Sequence, residues 1–74
     1  MTTNWNAVLK TRNNIRLAKQ FATGTISGAE FYSNFANTEE GGEIRTLLRK
    51  GGVQHARQLT RKALSRRMIN MPTS

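Results

Sequence analysis

Residues 26–36 read Ile-Ser-Gly-Ala-Glu-Phe-Tyr-Ser-Asn-Phe-Ala, and this stretch contains the clearest helix start in the chain. Ser27 and Glu30 have the spacing of a capping box, in which the serine side chain accepts from the third backbone N–H and the glutamate reaches back. Ile26, just before the cap, and Phe31, four residues into the helix, fit the accompanying hydrophobic staple. The stretch therefore predicts a helix that begins at Ser27.

Three aromatic side chains follow this start, all within residues 31–35. Phe31 and Phe35 are four residues apart, so they share one face of a helix, and Tyr32 lies beside them. Aromatic side chains dominate the energetics of small cores because each buries a large apolar area. We expect this helix to end near Asn37 and to form the core together with Phe21.

The residues before this helix also have a helical period. They predict one helix from Asn4 to Thr23, with Thr2 or Thr3 as its N-cap and Gly24 as its stop. Asparagines at positions 13 and 14 are weak helix formers and predict a bend in the middle. One stripe of this helix is apolar and consists of Val8, Ile15, Ala18 and Ala22. The neighbouring stripe is apolar at its start and basic further on, and consists of Trp5, Leu9, Arg12, Arg16 and Lys19.

Two more helices are predicted after the aromatic stretch. The third has its cap at Asn37 or Thr38, or starts at Gly42 because glycines are poor inside a helix, and it ends before the glycines at 51 and 52. The fourth runs from Val53 to about Asn70, where Pro72 prevents any extension. Residues 71–74 are expected to be a mobile tail. The prediction is an all-α fold, a small module of three to four helices forming a single basic domain over residues 1–74.

Charge is unevenly distributed along the 74 residues, whose formal net charge is +8. Residues 1–26 contain four bases and no acid, residues 27–43 contain four acids and no base, and residues 44–74 contain eight bases and no acid. A basic surplus of this size favours an anionic partner such as nucleic acid. Three of these acids lie in the opening turn of the third helix and Glu30 lies in that of the second, so helix-start electrostatics explain them better than a docking role does.

Composition excludes several classes of function. The chain has no cysteine, so disulfides and thiolate metal clusters are excluded. With one histidine and four carboxylates, a catalytic site or a histidine-rich metal site is hard to assemble. We expect a non-enzymatic protein with no cofactor, metal or small-molecule substrate. The lack of a long apolar run or a signal-like start favours a cytoplasmic protein without a membrane partner.

The core is expected to be thin. Leu, Ile, Val and Phe make up 15 of the 74 residues, about the level below which highly charged chains stay disordered. An alternative is therefore a basic peptide that folds only on its partner.

The fourth helix carries the candidate nucleic-acid contacts. Its bases form a run without acids, which is typical either of a phosphate-binding surface or of a solvated helix face. Gln54 and Gln58 belong to a side-chain type that binds base edges, and His55 lies near the start of the helix. The residues that we predict to bind nucleic acid are Arg57, Arg61, Lys62, Arg66 and Arg67.

The glycines at 51 and 52 also permit a second interpretation, a stand-alone helix-turn-helix DNA-binding repressor with the fourth helix in the major groove. The fit is poor. With Gly52 as the turn glycine, Leu48 stands where a small residue is usual, and Gln58 stands where a buried aliphatic residue is expected.

A second set of residues is predicted to contact a protein partner. Tryptophan is frequent among the residues that dominate protein interfaces, although Trp5 is equally suited to anchor a small core. The bases that follow it on the first helix, and the aromatic surface of the second, complete the surface. The predicted docking residues are Trp5, Arg12, Arg16, Lys19, Phe31 and Tyr32.

The whole string, from Met1-Thr2-Thr3-Asn4-Trp5 to the arginine-rich last helix, resembles the small RNA polymerase-binding regulators of lytic Xanthomonas phages. The resemblance rests on size, basic character and overall sequence, and no motif carries residue roles across. It implies a host-takeover protein of the bacterial cytoplasm that binds RNA polymerase near the RNA exit channel, at the amino-terminal part of β′ and the β flap. It further implies inhibition of σ-dependent initiation and suppression of intrinsic termination.

Overall fold

The computed structural model describes the backbone of residues 3–70 and the side chains of residues 3–66. This part of the chain is helical and contains no strand, which confirms the all-α prediction. Its helices are α1 (Trp5–Val8), α2 (Arg12–Ala22), α3 (Gly28–Phe35) and α4 (Gly41–Asn70). The predicted tail at 71–74, the alternative cap at Thr2 and the side chain of Arg67 lie outside the described residues.

The prediction of a single helix from Asn4 to Thr23 is wrong, because the helix is interrupted between α1 and α2. Thr11 is extended, with φ −117° and ψ 158°, and its hydroxyl accepts from the backbone N–H of Asn14 at 3.0 Å. A threonine in this conformation satisfies an unpaired N–H at the start of a new helix. The N-cap of α1 is Asn4, whose side chain accepts from the N–H of Ala7, and not Thr3.

The start of α3 is confirmed. The hydroxyl of Ser27 accepts from the backbone N–H of Glu30 at 3.1 Å, and the helix ends at Phe35, slightly earlier than predicted. Phe31 stacks on Phe21 with ring centroids 4.3 Å apart and meets Phe35 edge-on at 5.4 Å. All three rings are buried, so the predicted aromatic core is confirmed.

Helix α4 bends at Gly52, whose backbone has φ 83° and ψ 173°. This region of backbone conformation is open essentially to glycine alone. The bend separates a first arm, residues 41–51, from a second arm, residues 53–70, and so the predicted boundary between the third and fourth helices is confirmed. Both arms contribute to the core, the first through Ile44 and Leu47 and the second through Ala56, Ala63 and Leu64.

Two acidic residues hold the N-terminal segment against the start of α4. The ammonium of Lys10 lies 2.8 Å from Oε1 of Glu40, and the backbone N–H of Asn4 donates to Oε2 of Glu43 at 2.9 Å. The hydrogen bond from Lys10 lowers the pKa of the Glu40 carboxyl, and a hydrogen bond from the backbone N–H of Glu40 lowers this pKa further. The same contact raises the pKa of the Lys10 ammonium.

Candidate nucleic-acid interface

Arg57 is placed inside the fold and not on the open basic surface. Its Nε donates to the carbonyl of Phe21 at 3.0 Å, and its Nη2 donates to the carbonyl of Ile26 at 3.0 Å. The guanidinium carbon also lies 5.0 Å from the centroid of the Phe21 ring, within the range of a cation–π contact. Arg57 is thus a structural residue that joins the second arm of α4 to the end of α2, which corrects its assignment to the free basic surface.

Arg61 shares this role in part. Its Nη2 donates to the carbonyl of Ala22 at 3.0 Å, while the residue remains exposed. The backbone N–H of Gly24 already donates to the carbonyl of Phe21 at 3.1 Å, and a cation at this end of α2 also complements the helix dipole. The two arginines therefore add charged donors to the carbonyls of Phe21 and Ala22 from positions 36 and 39 residues later in the sequence.

The exposed basic surface of the second arm consists of Arg61, Lys62 and Arg66. These are the other predicted nucleic-acid residues whose side chains are described. Lys62 and Arg66 are exposed, and Arg61 keeps part of its guanidinium on the same surface. A shallow groove of about 430 Å³ runs along this arm, and its walls are Gln58, Arg61, Lys62 and Ser65. All four side chains are polar or cationic, which suits a hydrated phosphate backbone better than an apolar ligand.

The predicted docking residues fall into three environments. Phe31 is fully buried, so its assignment as a docking residue was wrong: the ring belongs to the stacked aromatic core. Trp5 and Tyr32 are half-buried and pack against that core while keeping part of their surface in solvent. The exposed members are the bases of α2, namely Arg12, Arg16 and Lys19.

A cleft that sequence reasoning missed lies beside Trp5. We name it the Trp5 cleft; it has a volume of about 560 Å³ and is walled by α1 and both arms of α4. Its lining includes Trp5, Leu47, Lys50, His55, Leu59 and Arg66. On the second arm, His55, Leu59 and Arg66 are spaced by four and seven residues, so they share one side of the helix. That spacing was the only signal in the sequence, and it does not reveal which segments lie opposite.

The structure gives little support to the helix-turn-helix interpretation. Gln58, which stands where that motif buries an aliphatic residue, is exposed, and Leu48 is half-buried where a small residue is usual. Gly28 allows Val53 and Leu48 to approach α3, since a Cβ at Gly28 would lie 3.0 Å from Val53 Cγ2. The start of the second arm is thus packed against α3, with Val53 still 40% exposed.

Comparison with protein-family models, with curated proteins and with solved structures finds no match for this chain. Within residues 3–70, no helix has the length and apolar character needed to cross a membrane.

Proposed function

We propose that this chain is a non-enzymatic transcription regulator that binds bacterial RNA polymerase near the RNA exit channel. It holds the exposed basic surface of the second arm of α4 against nucleic-acid backbone, inhibits σ-dependent initiation and suppresses intrinsic termination. The residues support the nucleic-acid contact, and the resemblance of the whole chain to phage polymerase-binding regulators supports the choice of partner.

The observation that supports the proposal most directly is that residues 44–74, which contain no acid, expose several of their bases on the second arm of α4. Residues 44–74 hold eight bases and no acid. Lys62 and Arg66 are exposed on the second arm. The nearest acids in sequence, Glu40 and Glu43, are engaged with the N-terminal segment. The surface therefore keeps its positive charge for a partner, and phosphate is the anion that nucleic acids offer at regular spacing.

Such a surface acts by charge and shape without reading sequence. Lysine and arginine contacts to phosphate position a protein on nucleic acid and carry no base information. A strand of RNA held at the exit channel is withheld from the hairpin of an intrinsic terminator. The exposed bases of α2, with Trp5 and Tyr32, remain the surface for docking on the polymerase.

The test is retention of RNA polymerase by the purified, immobilised chain at about 0.3 M salt, where phosphate contacts of an exposed basic surface are strongly screened. We expect the polymerase to be retained, and transcription through an intrinsic terminator to increase when the chain is added. Loss of the polymerase together with a sequence-specific shift of duplex DNA would overturn the proposal and establish the stand-alone repressor.

Two matched variants separate the surfaces. Lys62→Gln with Arg66→Gln removes two charges from the second arm, and Arg12→Gln with Arg16→Gln removes two from α2. The first pair should reduce terminator read-through while polymerase is still retained. The second pair should weaken retention itself.

A further inference from the structure

The Trp5 cleft combines an apolar interior with a basic rim. Trp5 and Leu59 are half-buried and Leu47 is buried, so these three residues supply apolar surface inside the cleft. Lys50, His55 and Arg66 line it as well, and every ionisable side chain among its lining residues is of a basic type. A ligand that satisfies both parts has a flat apolar portion joined to an anionic group.

We propose that the Trp5 cleft binds one unpaired nucleotide of a single-stranded nucleic acid, with the base against Trp5 and Leu59 and the phosphate at Arg66. The choice of nucleic acid rests on the proposed function. The cleft adds a contact to the base, which the exposed basic surface does not provide.

Size and chemistry favour this occupant. The volume of about 560 Å³ falls in the range of small-ligand sites, about 300–1,000 Å³. Bases stack on aromatic side chains regardless of sequence because every base has a π-face. An acidic peptide would pair with the basic side chains of the rim, but it would not place a flat ring against the Trp5 indole and the leucines. A duplex keeps its bases stacked inside, so only an unpaired base can enter.

The position of Arg66 links the cleft to the exposed basic surface. Lys62 lies one helical turn before Arg66 on the second arm and belongs to the neighbouring groove. A strand whose backbone follows Lys62 and Arg66 therefore passes the mouth of the cleft. Both contacts can be made by one strand, and the cleft adds discrimination between single strands and duplexes.

Trp5 provides a direct measurement because it is the only tryptophan of the chain. Its fluorescence is recorded while the full chain is titrated with oligonucleotides of about eight nucleotides, within the usual site size of single-strand binders. The probes are an oligouridylate, the matching oligodeoxythymidylate and a duplex of equal length. We expect saturable quenching by the single strands and none by the duplex. Comparison of the two single strands shows whether ribose or deoxyribose is preferred.

A matched pair of exposed substitutions keeps the test independent of folding. His55→Glu places a carboxylate in the wall of the cleft, and Gln58→Glu adds a carboxylate to the same arm in the neighbouring groove. His55→Glu should weaken single-strand binding more than Gln58→Glu does. For duplex binding the order should not hold, because Gln58 lies in the groove of the exposed basic surface and His55 lies in the cleft. Trp5→Leu, followed by anisotropy of a labelled strand, should weaken single-strand binding by about 5- to 150-fold, the factor for about 1–3 kcal/mol per stacked base. Trp5→Phe should restore most of it.

The outcomes separate this inference from the proposed function. Unquenched Trp5 at saturating single strand, equal effects of the two glutamate substitutions, or equal quenching by a tryptophan-free acidic peptide would each overturn the cleft as a nucleotide site. Polymerase retention is measured on the unmodified chain, because Trp5 also belongs to the proposed docking surface. Absent retention together with normal quenching would overturn the proposed function and leave the cleft intact.

Discussion

The guanidinium of Arg57 lies over the ring of Phe21 and donates to the backbone carbonyl of that same residue at 3.0 Å. The Arg57 side chain thus covers the face of the Phe21 ring and also binds the carbonyl of Phe21 near the end of α2. Phe21 stacks in turn on Phe31, so Arg57 connects the second arm of α4 to the centre of the core. The most basic helix of the molecule therefore uses part of its charge to hold the fold.

Arg57→Gln should destabilise the protein by about 1–3 kcal/mol, because the carbonyls of Phe21 and Ile26 lose charged donors in a half-buried position. Urea denaturation followed by circular dichroism gives the change. Lys62→Gln, at an exposed position on the same arm, is the control and should change stability by less than about 0.5 kcal/mol. Equal midpoints for the two variants would show that Arg57 has no structural role.

Gly52→Ala should destabilise by about 1–3 kcal/mol, since alanine is strained at φ 83° and ψ 173°. Gly42→Ala is the matched control. It lies in the first arm, where an added Cβ meets no atom within 4 Å, and should stabilise by about 0.4–1 kcal/mol. Thermal denaturation should show shifts of opposite sign. A neutral Gly52→Ala would mean that the bend does not depend on glycine.

The Lys10–Glu40 pair predicts a defined pH dependence of stability. The folded-state pKa of Glu40 is lowered from 4.5, so its contribution is present above about pH 4.5 and is lost as the pH falls through the folded-state value. The folded-state pKa of Lys10 is raised from 10.5, so its contribution is lost only as the pH rises beyond that value. The stability difference between the protein and Glu40→Gln should therefore be largest between these limits.

Denaturation at several pH values measures that difference, with Glu39→Gln as the control, because Glu39 is exposed and adjacent. A difference that stays constant down to the acid limit would contradict a role for the ionised carboxylate. The Glu39→Gln variant should show a much smaller difference than Glu40→Gln, because Glu39 acts on Lys10 through its charge alone, as the smallest of the causes that raise the Lys10 pKa.

Binding of nucleic acid should lose salt dependence when the exposed basic surface is neutralised. With Lys62→Gln and Arg66→Gln, the slope of log affinity against log salt for duplex DNA should decrease by about two, nearly one for each phosphate contact removed. Arg57→Gln should leave the slope nearly unchanged wherever that variant remains folded. An unchanged slope in the double variant would place the phosphate contacts elsewhere.

Sequence reasoning succeeded where structure depends on neighbours along the chain. The Ser27 cap and the Phe31–Phe35 pair are local patterns, and the boundary at Gly52 follows from residue type. The interruption of the helix at Thr11 was missed because the apolar period continues across it, and this period favoured one long helix. Competition from the threonine hydroxyl for the N–H of Asn14 decided the outcome.

The candidate sites were harder to predict because they depend on distant segments. Arg57 follows the same spacing as the exposed bases, and only the position of the end of α2 makes it structural. The Trp5 cleft requires α1 and both arms of α4 at once. No pattern within a single helix contains that information.

The bend at Gly52 also determines the dimensions of the molecule. A straight helix of the 30 residues in α4 would be about 45 Å long at 1.5 Å per residue. The longest extent of the described structure is 35 Å. A single glycine thus allows α4 to line the core from two sides, and so the four helices of residues 3–70 are enough to build an interior.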